Sequence, residues 1–147
     1  MASTVIPDLY IKRSDAYLKN GNWRRAAIEF RRAANGFPAY ADAIDRWREI
    51  GPSNGGVQYI DMKTYNDVRK DSIVFWTKEG READGPYSLV QFELNCSARK
   101  IRQLSLHRYD GSGALIASRE SGPWWPWQSI IPDTVGEIYY SGACRVN

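Results

Sequence analysis

The sequence is poor in the residue types on which enzyme active sites and metal sites most often depend. It contains one histidine, His107, and two cysteines, Cys96 and Cys144. Their spacing matches no common zinc pattern, and there is no glycine-rich phosphate loop. We therefore predict a protein that is not an enzyme and uses no metal or cofactor. A rival hypothesis is an unrecognised hydrolase, which a pocket joining His107 to a nucleophile would favour.

Long hydrophobic runs and a strong excess of one charge are also missing. No apolar run approaches the ~18 residues of a membrane helix, so we expect no transmembrane segment. The first residues, MASTVIPD, lack the basic and apolar regions of a signal peptide. The net charge of +3 is too small for the dense basic footprint of a nucleic-acid-binding protein. The remaining composition, 43% hydrophobic and 13% aromatic, is typical of a globular protein.

The turn-rich stretch GPSNGG divides the sequence into two parts. We interpret these residues, 51–56, as a linker between a helical segment (1–50) and a β domain (57–147). Apolar residues in the first part recur at helical spacing. They predict three helices, from about Pro7 to Asn20, from the N-cap Asn22 to Gly36, and from about Ala39 to Ile50.

The stretch from Ala16 to Pro38 closely resembles the second half of a tetratricopeptide repeat. The matching positions are Tyr17, Gly21, Trp23, Ala26, Phe30, Ala33 and Pro38. The resemblance implies a helical hairpin within residues 7–50, in which the small Ala26 and Ala33 let two helices approach, followed by a capping helix. A single repeat has almost no concave groove, so we do not expect peptide capture of the usual kind.

Four arginines form a basic ridge on the second predicted helix. Arg24, Arg25, Arg31 and Arg32 lie within roughly a third of the helix circumference, interrupted by Ile28. One interpretation is a contact surface for an acidic protein partner or another anionic surface. The other is a solvated face that is exposed because the opposite face is buried.

The second part of the sequence predicts an antiparallel β-meander with one buried face. The strand candidates are residues 57–62, 72–78, 87–96, 100–108 and 114–119. In the third candidate, Val90, Phe92 and Leu94 alternate with polar residues, which is typical of a half-buried strand. Residues Tyr109–Gly113 predict a hairpin turn. A helix beginning near Pro132 is the candidate cover for the buried face.

A series of motifs along the second part carries a family resemblance. The motifs are Tyr59–Asp61, Val74–Trp76, Cys96–Lys100, Tyr109–Gly113, Trp127–Pro132 and the closing Cys144. In this order they resemble the surface-adhesin protein E family of Gram-negative bacteria, over residues 57–147. The resemblance implies a twisted antiparallel sheet, a C-terminal helix packed across it, and a disulfide between Cys96 and Cys144. It also implies an exported protein of the periplasm, the outer membrane or the cell surface.

Three tryptophans lie within four positions of the stretch GPWWPWQSIIP. Trp127 matches the strand-to-helix crossover of the family, and we interpret it as a packing residue. Trp124 and Trp125 are flanked by Pro123 and Pro126, which stiffen the loop. They are candidates for a hydrophobic anchor that binds a protein partner. The alternative is that they cover the edge of the core or pack on the helical part.

Together these features predict an α+β, non-enzymatic protein-binding module of the bacterial cell envelope. By the family resemblance, the implied activity is adhesion, with a host extracellular-matrix protein as partner, and a homodimer is an open alternative. The competing hypothesis is an intracellular adaptor of the tetratricopeptide type with reduced cysteines. The predicted site residues are the disulfide pair Cys96 and Cys144 and the binding residues Trp124, Trp125, Arg24, Arg25, Arg31 and Arg32.

Overall fold

The computed structural model describes residues 5–53, 56–69, 71–80, 85–120 and 126–145. In this part of the chain, four helices and eight strands follow one another. They are α1 (Val5–Lys19), α2 (Trp23–Gly36), α3 (Pro38–Ala41), β1 (Trp47–Ser53), β2 (Gly56–Asp61), β3 (Asn66–Arg69), β4 (Ser72–Gly80), β5 (Tyr87–Asn95), β6 (Lys100–Tyr109), β7 (Leu115–Glu120), β8 (Gln128–Ser129) and α4 (Val135–Ala143). The predicted α+β class is confirmed.

The strands form one antiparallel sheet. Its order is β1-β2-β4-β5-β6-β7, with β3 paired to β4 and β8 paired to β6. The five predicted strands correspond to β2, β4, β5, β6 and β7, with ends that differ by at most two residues. Because consecutive strands are joined by short connections, each can pair with its neighbour along the chain. The predicted meander is therefore confirmed, and β1, β3 and β8 add to it.

The predicted turn between β6 and β7 is built on one aspartate. The Asp110 carboxylate accepts hydrogen bonds from the backbone N–H groups of Ser112 (2.9 Å) and Ala114 (3.0 Å). A hydrogen bond from the Ser112 hydroxyl, together with these backbone donors, lowers the pKa of Asp110. Gly113 closes the turn at a φ of 86°, in the left-handed region that favours glycine.

The third predicted helix is wrong. Helix α3 ends at Ala41, and most of the remaining segment is β1, which pairs with β2 from Trp47 to Ser53. The stretch 51–56 is also not the linker we expected, because Gly51–Ser53 end β1 and Gly56 begins β2. Pairing with β2 outweighs the helical spacing of the apolar residues.

The predicted helical hairpin is present. The Asn22 side chain caps α2 by accepting a hydrogen bond from the Arg25 backbone N–H at 3.3 Å. Helices α1 and α2 approach closely where Ser14 Oγ donates to the Ala26 carbonyl oxygen at 2.8 Å. Ala26 and Ala33 are completely buried, as the resemblance to a tetratricopeptide repeat implied. The assignment of that repeat stays a prediction.

One hydrophobic core joins the helices to the sheet. The Trp23 ring of α2 packs edge-on against Phe75 of β4 at 5.5 Å, and Tyr139 of α4 lies 5.8 Å from the same indole. The sequence predicted α4 alone as the cover of the buried face. Helix α2 shares that role, because Trp23 reaches both Phe75 and Tyr139.

The implied disulfide between Cys96 and Cys144 is present, with the two Cα atoms 5.5 Å apart. It joins the residue after β5 to the residue after α4. Beside it, the Tyr140 hydroxyl donates to the Cys96 carbonyl oxygen at 3.2 Å. Helix α4 is therefore held against the sheet by a covalent bond as well as by packing.

Candidate functional site

The sheet carries a second set of aromatic residues on the face opposite the helices. Along β4, Phe75 and Thr77 are buried beneath the helices, whereas the alternate residues Trp76 and Lys78 are half-buried and point the other way. The strand register places further residues beside them. We call this set the aromatic face: Trp76, Lys78, Tyr87, Leu89, His107 and Tyr109.

The side chains of the aromatic face are stacked on one another. The rings of Tyr87 and Tyr109 lie 4.8 Å apart with an interplanar angle of 16°. The Lys78 ammonium lies 4.6 Å above the Tyr87 ring, a cation–π contact. Trp76 and His107 stack with centroids 5.9 Å apart. These contacts hold the aromatic groups in place before any partner arrives.

A groove extends the aromatic face at the end of the sheet. Its volume is about 380 Å³. Its lining is Glu79, Gly80, Pro86, Tyr87, Ser88, Arg108, Tyr109 and Ile116. The stacked tyrosines thus form one wall of a concave surface, next to an exposed aliphatic side chain, Ile116, which is 62% exposed. Such a surface offers both apolar area and charged groups to a ligand.

His107 lies between two polar residues of β7. Ser118 Oγ is 2.9 Å from His107 Nδ1, and Glu120 Oε1 is 3.1 Å from Nε2. A serine, a histidine and a carboxylate also make up hydrolytic triads. However, every residue of β7 is exposed, so a reacting group at Ser118 would be surrounded by water rather than by the dry site that charge stabilisation requires. His107 is also not part of the lining of the neighbouring groove.

A cysteine thiol is a second kind of nucleophile that a histidine such as His107 could activate. Cys96 and Cys144 are bonded to each other, so neither is a thiolate. We therefore interpret Ser118, His107 and Glu120 as a cross-strand network that fixes the imidazole against Trp76. Among the described residues, no group of three or more His, Cys, Asp or Glu could hold a metal ion.

The four ridge arginines differ in what they contact. Arg31 turns toward the sheet, where it donates to the Tyr65 carbonyl oxygen at 2.6 Å and lies 3.5 Å from an oxygen of Asp67. Arg32 pairs with Glu29 at 2.8 Å. The remaining two, Arg24 and Arg25, are exposed on α2, and the Arg25 guanidinium lies 5.9 Å from the Tyr17 ring. Arg31 therefore contributes to the structure, by tying α2 to the sheet.

The predicted tryptophan anchor, Trp124 and Trp125, lies outside the described residues. Trp127, which follows it, is half-buried, and the Arg102 guanidinium lies 4.4 Å from its ring centroid. Arg102 is itself paired with Glu93 at 2.7 Å. Trp127 thus packs on the sheet, in agreement with its interpretation as a packing residue.

A profile of the surface-adhesin protein E family matches residues 47–145. The chain belongs to this family. The match begins at the first residue of β1, so the family region is the whole sheet with α4, and it starts earlier than the expected residue 57. No curated protein and no solved structure matches the chain.

The aromatic face was not predicted from the sequence, although a signal for it exists. In β4 and β6, the positions that alternate with the core residues carry Trp76, Lys78, His107 and Tyr109. In a strand with one solvated face, these positions would ordinarily be polar. Aromatic residues at the solvent positions of neighbouring strands are therefore the signal that sequence analysis can use.

Within the described residues, no helix is both long and apolar enough to cross a membrane.

Proposed function

We propose that the protein is a non-enzymatic binding module of the bacterial cell envelope, which contacts a protein partner through the aromatic face. The observation that carries the proposal is the stacking of Trp76 with His107 and of Tyr87 with Tyr109 on the sheet face opposite the helices of the described residues. Tryptophan and tyrosine are the residue types that dominate binding energy in protein interfaces. Because these rings are already ordered, little side-chain entropy is lost on binding.

The location we propose is the periplasm, the outer membrane or the cell surface. Disulfides form and persist in oxidising compartments, and the bond between Cys96 and Cys144 therefore supports an exported protein. It disfavours the intracellular adaptor, which requires reduced cysteines. The family name, surface-adhesin protein E, supports adhesion as the activity. A host extracellular-matrix protein is the class of partner that we propose.

The proposal is tested by binding to a panel of immobilised extracellular-matrix proteins. In the variant, Tyr87→Ser is combined with Tyr109→Ser, which removes one stacked pair and a wall of the groove. We expect at least a tenfold rise in Kd for the protein that binds, the effect of losing about 1.4 kcal/mol. The matched control is Ile138→Ser, which removes an exposed large hydrophobic residue from α4.

The control separates the aromatic face from apolar surface in general. Equal losses in both variants, or none in the tyrosine variant, would contradict the proposal. Thermal melting curves of both variants establish that the folded state is retained. Hydrolysis of simple esters that disappears in Ser118→Ala would overturn the non-enzymatic part of the proposal, because it would make the contact between Ser118 and His107 catalytic.

A further inference from the structure

A second groove lies on the helical hairpin, away from the aromatic face. It has a volume of about 340 Å³. Its lining residues are Tyr17, Arg24, Arg25, Ile28, Glu29 and Arg32. All of them precede residue 47, where the family match begins. The groove therefore calls for an explanation of its own, which does not depend on the function proposed for the sheet.

A buried carboxylate forms part of this groove. Glu29 is only 7% exposed, although glutamate is rarely buried unless it is fully paired. Its Oε1 atom accepts a hydrogen bond from Arg32 at 2.8 Å. Its Oε2 atom is buried and has no hydrogen-bond partner among the described residues. Because a buried atom is out of a ligand's reach, Glu29 acts on the groove through Oε1, which positions Arg32.

The rest of the groove is basic with one apolar contact point. Three arginine charges surround the single charge of Glu29, which leaves the groove positive. The pairing with Glu29 holds the Arg32 guanidinium in place. Ile28, which lies between the arginines, is 40% exposed. A matching ligand therefore combines negative charge with a small apolar group.

We propose that this groove binds an acidic peptide segment of a partner protein. Carboxylate side chains of the segment pair with Arg24 and Arg32, whose planar guanidinium groups suit carboxylates. An aliphatic side chain of the segment packs on Ile28. An extended acidic peptide presents both groups at once, the carboxylates and the aliphatic side chain. A simple anion presents only the charge.

The first experiment measures affinity by isothermal titration calorimetry on the full chain. The probe is a short glutamate-rich peptide with isolated leucines, and the variant combines Arg24→Gln with Arg32→Gln. We expect at least a tenfold rise in Kd, from the loss of two charge-assisted contacts. The matched control is Arg119→Gln, which removes one positive charge from exposed β7. The absence of peptide binding to the natural sequence, or equal losses in the variant and the control, overturns the proposal.

The second experiment uses Ile28→Ser, which removes the apolar contact and leaves the arginine charges of the groove in place. The peptide binds more weakly, whereas tripolyphosphate, which has no aliphatic group, binds equally well. If the peptide loses no affinity, recognition is by charge alone and the proposal is wrong. Tighter binding of a sulfated oligosaccharide than of the peptide would likewise overturn it, in favour of a glycan.

Discussion

Phe75 and Trp76 are neighbours on β4, yet they belong to opposite faces of the sheet. Phe75 is completely buried, and its ring contacts those of Trp23 and Tyr139 from the helices. Trp76 is half-buried and stacks on His107. Because alternate residues of a strand point in opposite directions, one strand supplies aromatic rings to a packed core and to an open surface. The face that packs against the helices, which we call the covered face, should therefore control stability. The aromatic face should control binding.

The largest expected effect contrasts these two neighbours. Phe75→Ala leaves a cavity among buried rings and should lower the free energy of unfolding by about 3–5 kcal/mol. Trp76→Ala removes a cross-strand contact at the surface and should cost about 1 kcal/mol or less. Urea denaturation followed by tryptophan fluorescence for Phe75→Ala, and by circular dichroism for both variants, gives the comparison.

The same two variants should affect binding of the partner in the reverse order. At a temperature where both variants are folded, Trp76→Ala should weaken binding of the partner and Phe75→Ala should not. Similar losses of stability in the two variants would mean that the two faces are not energetically distinct. The contrast between core and surface would then have to be abandoned for this sheet.

The second effect concerns the disulfide that holds α4 on the covered face. Replacing Cys96 and Cys144 by serine should lower the free energy of unfolding by about 2–4 kcal/mol, because the cross-link restricts the unfolded chain. The intact mass after alkylation, with and without prior reduction, establishes that the natural protein carries the bond. If both thiols alkylate without reductant, the tether and the exported location lose their support.

The third effect appears at alkaline pH, through tyrosines of the covered face. Burial raises the pKa of Tyr139 from 10.0 to about 12, and burial also raises the pKa of Tyr65. Above pH 10 the unfolded chain loses these protons first, so the contribution of these tyrosines to the free energy of unfolding is constant below pH 10 and falls as the pH rises toward 12. Each unit of pKa difference corresponds to about 1.4 kcal/mol.

Urea midpoints measured from neutral to alkaline pH provide this test. The variant Tyr139→Phe has no proton to lose at this position, so its decline above pH 10 should be shallower than that of the natural sequence. An equally steep decline in the variant would show that Tyr139 is not the buried group responsible. Tyr65 or unrelated ionisations would then account for the loss of stability.

Local pattern was sufficient to predict much of this fold. Strand β5 was predicted from alternation, the β6–β7 turn from residues Tyr109–Gly113, and the start of α2 from its cap at Asn22. The disulfide came from family resemblance alone. These features are determined by neighbours in sequence or by shared motifs, which a single chain displays directly.

The features that were missed depend on partners distant in sequence. Tyr40, Ile44 and Trp47 have helical spacing, yet pairing with β2 places Trp47 in a strand. Nothing near Trp23 indicates that it packs on Phe75 and Tyr139. Likewise, glutamate ordinarily lies at the surface, and Glu29 is buried only because the two helices of the hairpin pack together. Tertiary contacts thus decided both the cover of the sheet and the candidate groove on the helices.

The smallest effect tests how tightly the two covering helices meet. Gly142 of α4 lies against the Trp23 indole of α2, and a Cβ atom there would overlap the Cε2 and Nε1 atoms of the ring. Gly142→Ala should therefore lower the free energy of unfolding by about 1–2 kcal/mol, since overpacking outweighs the better helix propensity of alanine.

The matched control for this substitution is Gly36→Ala, at the end of α2. A Cβ atom at Gly36 meets open space, so this variant should be unchanged or more stable by about 0.4–1 kcal/mol, because alanine restricts the unfolded chain. The difference between the two substitutions isolates the contact with Trp23, since both replace a helical glycine by alanine. If Gly142→Ala stabilises as much as Gly36→Ala, the indole has room to move. The covered face would then be loosely packed at the junction of α2 and α4, and its contrast with the aromatic face would be weaker there.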